Sequence, residues 1–202
     1  MIAGKDDVCE RILDAARKRF SHYGYAKTTM AEIASDCDMS PGNLYRFFPG
    51  KLDIAEAIAR EEERSRLADL ARIVDRPGMS GRECLREFLF HELRATYAKF
   101  DQDPHAIEIA GVIAQRRPEF SEQRVAAERE MVGRILAQGT KTGEFAVTDF
   151  DYTAEMIHSA TLKFRFPQRW TKTSLETLER ELDGVLKLIM DGLTPRARTG
   201  AA

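Results

Sequence analysis

Residues 29–48 read Thr29-Met30-Ala31-Glu32-Ile33-Ala34-Ser35-Asp36-Cys37-Asp38-Met39-Ser40-Pro41-Gly42-Asn43-Leu44-Tyr45-Arg46-Phe47-Phe48. Thr29 and Glu32 stand at the spacing of a capping box, which predicts a helix that begins at Met30. Ser40 before Pro41 predicts a second helix, because Ser caps unpaired N–H groups and proline at the first helical position loses no hydrogen bond. One tight turn joins the two helices, so they must cross steeply. This is the geometry of a helix-turn-helix.

The rest of the chain has the same helical character. Apolar residues recur at three- and four-residue spacing almost throughout, which predicts an all-α fold. The pattern gives nine helices, over about residues 6–23, 30–37, 41–47, 51–74, 82–100, 104–116, 118–141, 149–166 and 174–193. The expected N-terminal caps are Ser80, Asp103 before Pro104, and Thr173 with Glu176, and the expected stops are Gly24 and Gly143.

Composition excludes several classes of protein. The chain has 202 residues, with 31 Lys and Arg against 33 Asp and Glu, so the net charge of -2 does not by itself point to nucleic acid. Three cysteines without C-x-x-C spacing argue against a disulfide framework or a zinc cluster, and favour a reducing cytoplasm. A signal-peptide core and an apolar run of about 18 residues are both lacking, so we expect no membrane partner.

Catalytic motifs fail on their own spacing. His91-Glu92 begins like the zinc motif H-E-x-x-H, but Ala95 stands where the second histidine ligand is needed. The chain has no G-x-S-x-G, P-loop or G-x-G-x-x-G motif. We therefore expect no enzyme, no catalytic residue, no metal and no cofactor.

A family resemblance rests on the pattern Thr29-x-x-x-Ile33-Ala34-x-x-Cys37-Asp38-Met39-Ser40-x-Gly42-x-Leu44-Tyr45-x-x-Phe48-x-x-Lys51, preceded by Phe20-x-x-x-Gly24-Tyr25. It resembles the N-terminal DNA-binding domain of the TetR family of bacterial transcriptional regulators. The resemblance implies an all-α homodimer with a three-helix DNA-binding head and a helical body that binds an effector and the second subunit. We assign residues 1–52 to the head and 53–202 to the body. The strongest break in the chain, residues 76–81, favours a boundary nearby.

The head contains the candidate DNA contacts. A recognition helix presents its N-terminal residues to base edges, and Asn43 suits adenine. The start of the first helix of the pair favours phosphate, and the resemblance implies that Tyr45 and Lys51 grip phosphate. The predicted DNA-binding residues are Lys27, Thr28, Thr29, Ser40, Pro41, Gly42, Asn43, Tyr45, Arg46 and Lys51. Two alternatives stay open, namely Thr29 as a cap only and Tyr45 as a core aromatic.

Two features of the head depart from a strong DNA binder. Asp38 occupies a turn position where the family often has glycine, although Asp tolerates the left-handed conformation. Residues 1–52 hold eight basic and seven acidic side chains, a net charge of +1. We therefore expect moderate, strongly salt-dependent affinity from two heads that bind together. Their recognition helices should lie about 34–36 Å apart, or a multiple of one DNA turn, on a palindromic site.

Body residues are predicted from helical stripes and from family architecture. The expected dimer residues are Ile157, Thr161, Phe164, Leu178, Leu182, Val185 and Ile189, with an intramolecular core as the alternative. The expected effector pocket contains Phe88, His91, Tyr97, Ile113, Met131 and His158, although side chains of this kind are more often plain core than ligand contacts.

The sequence leads to one main hypothesis and two others. The main hypothesis is a repressor that binds a palindromic operator as a homodimer and is released by a small-molecule effector. The second is a helical small-molecule-binding protein or enzyme whose head is inactive towards DNA. The third is an architectural DNA-binding dimer without an effector.

Overall fold

The computed structural model describes residues 5–103, 105–165, 170 and 173–195. These residues form nine α-helices and one short 3-10 helix, and they contain no strand. The α-helices are α1 (Lys5–Tyr23), α2 (Met30–Asp36), α3 (Pro41–Leu44), α4 (Lys51–Val74), α5 (Gly81–Gln102), α6 (Ala106–Arg116), α7 (Pro118–Lys141), α8 (Phe150–Ala160) and α9 (Leu175–Leu193), and the 3-10 helix is Leu162–Arg165. The all-α prediction is confirmed.

Two predicted helices are shorter by three or more residues than the sequence pattern indicated. Helix α3 ends at Leu44 rather than at residue 47, because the backbone tightens into i→i+3 bonds such as Phe47 N–H to Leu44 O. Helix α8 ends at Ala160, with Thr161 as its C-cap, and the chain continues in the 3-10 helix. The predicted last residue of that segment, 166, lies outside the described residues.

Most predicted helix ends are confirmed. Gly24 and Gly143 follow α1 and α7 with φ of +86° and +82°, a conformation that glycine adopts without strain. Ser80 and Glu83 form a reciprocal cap at the start of α5.

Two other predicted caps need correction. Ser174, not Thr173, caps α9 by accepting the Thr177 N–H, since neighbouring Ser and Thr offer equivalent hydroxyls. Asp103 accepts the His105 N–H, but the N-cap of α6 is His105 and has no side-chain cap bond. Pro104 lies outside the described residues.

The chain contains two compact units. The first is Met1–Arg66 with Lys99–Glu122, and the second is Leu67–Ala98 with Gln123–Ala202. The unit that holds the predicted head therefore also contains α6. Its core is built from α1, α2, α3, α4 and α6, and includes Ile12, Ala16, Phe20, Ile33, Leu44, Ile54 and Ile113.

The core of the second unit includes Leu85, Phe88, Leu93, Ile135, Leu136, Leu178 and Leu182. Helices α5 and α7 approach closely here through two glycines. A Cβ placed on Gly81 would lie 2.7 Å from the Gly139 Cα, and a Cβ on Gly139 would overlap the Phe145 ring. In the described part of the chain, no helix has the length and apolar character needed to cross a membrane.

Candidate DNA-binding surface

The turn between α2 and α3 has the geometry that the sequence predicts. Asp38 adopts φ of +54°, so an aspartate occupies the left-handed position. The N–H groups of Asp38 and Met39 bond the carbonyls of Ser35 and Ala34, at 3.1 and 3.0 Å. These bonds satisfy the end of α2, and the turn directs the chain straight into α3.

The start of α2 is closed by its own side chains. The Thr29 hydroxyl accepts the Glu32 N–H at 3.3 Å, and the Glu32 carboxylate accepts the Thr29 N–H at 2.8 Å. The predicted capping box is thus confirmed. The hydrogen bond from the Thr29 hydroxyl holds the pKa of Glu32 below its usual value, so a negative charge lies at this helix start. Thr29 is exposed, and its contact with phosphate stays a prediction.

The start of α3 is capped by Ser40, whose hydroxyl accepts the Asn43 N–H at 3.2 Å. Leu44 is fully buried in the core of the first unit, which fixes the opposite side of this short helix outward. Six of the predicted DNA contacts are therefore exposed together, and we call them the recognition face: Ser40, Pro41, Gly42, Asn43, Tyr45 and Arg46. Tyr45 is 52% exposed, which removes the alternative of a core aromatic.

Lys27 is exposed on the loop between α1 and α2, residues 24–29, which we call the α1–α2 loop. Its neighbour Thr28 is 1% exposed, and its hydroxyl donates to the Gly24 carbonyl at 2.9 Å. This corrects the prediction of Thr28 as a DNA-binding residue, because its side chain has no surface to offer a phosphate.

Lys51 is also engaged inside the molecule. Its ammonium donates to the carbonyls of Tyr25 and Thr28 at 2.5 and 2.6 Å, and approaches that of Ala26 at 3.5 Å. It also lies 4.2 Å from the centre of the Tyr25 ring. Burial lowers the pKa of Lys51 below its ordinary value. The structure thus gives Lys51 three backbone acceptors in the α1–α2 loop, where the resemblance implied phosphate.

Two arginines of α1 stabilise the end of α2, and sequence reasoning missed both. Arg19 pairs with Asp36, and this hydrogen bond holds the pKa of the Asp36 carboxyl below its usual value. Arg11 donates to the Cys37 carbonyl at 2.8 Å. Asp36 and Asp38 are the two acidic residues near the turn, and the charge of Asp36 is therefore balanced by Arg19.

Predicted pocket residues fall into both units. Phe88 is fully buried in the core of the second unit, and Met131 and Tyr97 are partly buried against that core. The Tyr97 ring stacks on the Trp170 ring, with 5.8 Å between the ring centres. His91 and His158 belong to the same unit and are half-buried. Ile113 belongs instead to the core of the first unit, so the structure does not group it with the other five.

Most predicted dimer residues are buried within their own unit. Five of them lie in its interior, namely Ile157, Thr161, Phe164, Leu178 and Leu182, while Val185 and Ile189 are partly buried. This corrects the prediction for those five, because a side chain already covered by its own chain cannot contact a second copy. The exposed apolar side chains of this region are Tyr152, Met156, Leu162 and Leu188.

A buried ionic cluster in the second unit was also missed. Glu128 on α7 pairs with Nη1 of Arg165, and the Glu92 carboxylate of α5 lies 3.8 Å from the same nitrogen. The His158 Nδ1 lies 3.6 Å from the Glu128 carboxylate. Burial lowers the pKa of His158. A signal was present, because Glu128 shares a helical face with the buried Val132 and Ile135. Across the described residues, no three His, Cys, Asp or Glu side chains come together as a metal site.

Residues 12–58 match the sequence model of bacterial regulatory proteins of the tetR family, and residues 81–186 match that of the tetracyclin repressor-like C-terminal domain. The chain belongs to the TetR family. Both halves of the chain thus carry a TetR-family domain, and the first contains the helix-turn-helix described above.

Several TetR-type repressors are similar to this chain. It is 32% identical over 149 residues to the HTH-type transcriptional repressor KstR of Rhodococcus jostii (strain RHA1), covering 73% of this chain and 63% of that protein. It is 26% identical over 190 residues to the HTH-type transcriptional repressor Rv1474c of Mycobacterium tuberculosis (strain ATCC 25618 / H37Rv), covering 94% and 82%. A solved transcriptional regulator from Cytophaga hutchinsonii ATCC 33406 superposes with a TM-score of 0.69 at 26% identity, covering 92% and 98%.

Proposed function

We propose that this TetR-family protein is a cytoplasmic repressor that binds a palindromic operator as a homodimer and leaves it when a small-molecule effector binds the body. The observation that carries the proposal is the recognition face, six exposed residues held outward by the buried Leu44 and by an intact helix-turn-helix turn. The similarity to two transcriptional repressors supports repression as the outcome.

The first residues of the recognition face can contact base edges, and its last two residues can contact phosphate. Among Ser40, Pro41, Gly42 and Asn43, only Asn43 carries its donor and its acceptor on separate atoms, so that it can form two hydrogen bonds with adenine at once. Gly42 has open space around it, so the backbone can approach DNA closely. Tyr45 and Arg46 follow on the same exposed segment, and with Lys27 and Thr29 they supply groups for phosphate.

Selection of genomic DNA fragments by the purified protein at low salt tests the proposal. We expect an enriched palindrome, and we expect Asn43→Ala to lose preference at a defined base position at a cost of about 1–3 kcal/mol. Ser21→Ala, an exposed change on α1, is the control and should leave selection unchanged. An unenriched pool would instead favour the second hypothesis, a helical protein or enzyme with a DNA-inactive head.

The dimer surface is proposed on the outward faces of α8 and α9. Leu188 is 74% exposed, and it lies between Gly184 and Gly192 at four-residue spacing, with open space around both glycines. Tyr152 and Met156 form a matching apolar pair one turn apart on α8. A second copy that covers these faces removes exposed apolar surface and supplies the two-fold axis that a palindrome requires.

Light scattering after size-exclusion chromatography tests this surface. We expect a dimer for the native chain and a monomer for Leu188→Glu, because an interface does not bury an unpaired carboxylate. Tyr23→Glu makes a similar change at a 50% exposed position on α1 and should stay dimeric. A dimeric Leu188→Glu protein would show that the subunits meet elsewhere.

The effector is proposed to bind in the second unit, beside the five predicted pocket residues that the structure groups there. Phe88, Tyr97 and Met131 provide apolar and aromatic contacts, and His91 and His158 provide polar tips. This chemistry fits an apolar or aromatic small molecule. Mass spectrometry of the protein purified under native conditions tests for a carried ligand, which should then release the operator when added. A body that never binds such a molecule would favour the third hypothesis, an architectural dimer.

A further inference from the structure

The α1–α2 loop is held by a carboxylate from another helix of the first unit. Glu108, in the first turn of α6, accepts the Tyr25 N–H through Oε2 at 3.1 Å and the Ala26 N–H through Oε1 at 2.8 Å. Both oxygens of one carboxylate thus bind consecutive backbone donors. Hydrogen bonds of this charge-assisted kind are about twice as strong as neutral ones.

Gly24 makes this approach possible. It has φ of +86°, and a Cβ added there would lie 2.9 Å from the Glu108 Oε2 and 3.0 Å from the His105 Nδ1. A Cβ at this position would therefore displace the Glu108 carboxylate from the loop, and the left-handed φ would strain any residue other than glycine. Glycine at position 24 leaves room for the close approach of Glu108.

The same loop is held by a cation at its carbonyl groups. Lys51 donates to the carbonyls of Tyr25 and Thr28, while Glu108 accepts the N–H groups of Tyr25 and Ala26. The Tyr25 carbonyl and the Ala26 N–H belong to one peptide group, so the two charges hold that group from opposite sides. The loop that Lys51 and Glu108 hold leads directly to Thr29, the N-cap of α2.

Helix α6 is itself firmly attached within the first unit. Ile113 is buried in its core, and Arg117, at the C-cap of α6, pairs with Glu56 and Asp53 of α4 at 2.7 and 2.9 Å. Glu108 is therefore presented from a helix whose place is set by other contacts. Because α6 is fixed in this way, the Glu108 carboxylate can hold the α1–α2 loop, which contains Lys27, in one position.

We propose that Glu108 is a positioning residue for DNA binding, which holds Lys27 and Thr29 in the arrangement that meets phosphate. The inference rests on the proposed function for its DNA readout. It is distinct from any contact between Glu108 and DNA, because a carboxylate beside phosphate would weaken binding.

The direction in which Glu108→Gln changes operator affinity distinguishes a positioning role from a direct electrostatic effect of the carboxylate. Removing a negative charge strengthens DNA binding by simple electrostatics, whereas losing one of two backbone bonds loosens the loop. We expect operator affinity to fall about tenfold, as loss of one bond to a charged acceptor implies. The slope of log affinity against log salt should stay at the native value, because no phosphate contact of Glu108 is lost. Glu119→Gln, an exposed carboxylate in the same unit, is the matched control and should not weaken binding.

A double-mutant cycle with Lys27→Met distinguishes positioning from a general loss of folded protein. If Glu108 acts through the loop, its effect shrinks once Lys27 is gone, so the two changes are not additive. Additive losses, or native affinity in Glu108→Gln, would overturn the proposal. Glu108→Asp, which keeps the charge on a shorter stem, should recover part of the affinity.

Amide hydrogen exchange supplies a readout that does not depend on DNA. We expect at least one of the Tyr25 and Ala26 amides to lose about tenfold protection in Glu108→Gln, with the Cys84 amide in α5 unchanged. If the native protein selects no DNA, the proposed function fails, while exchange still decides whether Glu108 holds the loop. Unchanged exchange at both amides overturns the inference even if the protein binds an operator.

Discussion

Replacing Lys51 with methionine tests whether this cation holds the protein's own loop or the phosphates of an operator. Methionine keeps the apolar stem and removes the ammonium, which donates to the carbonyls of Tyr25 and Thr28 at 2.5 and 2.6 Å. A hydrogen bond to a charged group contributes about 1.5–3 kcal/mol. Since Lys51 is only half-buried, we expect the free energy of unfolding to fall by about 1.5 kcal/mol, the lower end of that range.

The effect on DNA binding differs between the two roles. A lysine that neutralises one phosphate contributes about 0.9 to the slope of log affinity against log salt, so two heads contribute about 1.8. Lys51→Met should weaken operator binding through the loosened α1–α2 loop and leave this slope at its native value. Lys27→Met is the matched comparison, because Lys27 is exposed on the same loop and its loss should lower the slope by about 1.8.

Fluorescence anisotropy of a labelled operator, measured from about 50 to 200 mM salt for the native protein, Lys51→Met and Lys27→Met, gives the slope of log affinity against log salt. Urea unfolding of the same three proteins gives their free energies of unfolding. The reasoning is refuted if Lys51→Met lowers the slope as far as Lys27→Met does, with no loss of stability. The ammonium would then leave the loop carbonyls and bind phosphate in the complex.

Tyr45→Phe should weaken operator binding by about 0.5–1.5 kcal/mol through loss of one hydroxyl bond, with Tyr23→Phe, similarly exposed, as the unaffected control in the same anisotropy assay. Burial lowers the pKa of His158 below its ordinary 6.5, so the unfolded chain binds a proton at a higher pH than the folded chain does. The free energy of unfolding therefore falls as the pH drops below 6.5. His158→Phe should reduce that loss when urea unfolding at pH 7.5 and at pH 5.5 is compared. Gly139→Ala should destabilise by about 1–3 kcal/mol through overlap with the aromatic ring beside it, whereas Gly133→Ala on the same helix has open space and should stabilise by about 0.4–1 kcal/mol.

Local signals explain why so much of the fold was predictable from sequence. Helix periodicity and the caps at Thr29, Ser40 and Ser80 depend on residues three or four positions apart, which a single sequence displays directly. The left-handed turn at Asp38 was indicated by the family resemblance, together with the tolerance of aspartate for that conformation. The exposure of the recognition face also followed, because Leu44 fixes which side of α3 is buried.

Contacts between distant segments explain what was missed. The leucines of α9 form an apolar stripe whether their own chain or a second copy covers them, so periodicity cannot separate Leu178 in the core from Leu188 at the surface. Lys51 shows the same limit, since its position matches a phosphate site while its ammonium reaches a loop 23 to 26 residues earlier. Glu108 gave no signal, because its partners lie 82 and 83 residues away.

The small charge of the head becomes a constraint on how it can bind. Residues 1–52 have a net charge of +1, and the structure shows that Lys51 donates to backbone carbonyls and that Arg19 pairs with Asp36. Among the predicted DNA contacts, the exposed cations are thus Lys27 and Arg46. With so few charges, small errors in their placement cost a large share of the phosphate attraction. A head of this kind gains more from a rigid loop than from another lysine, because each remaining cation must already be in register with the backbone of the DNA.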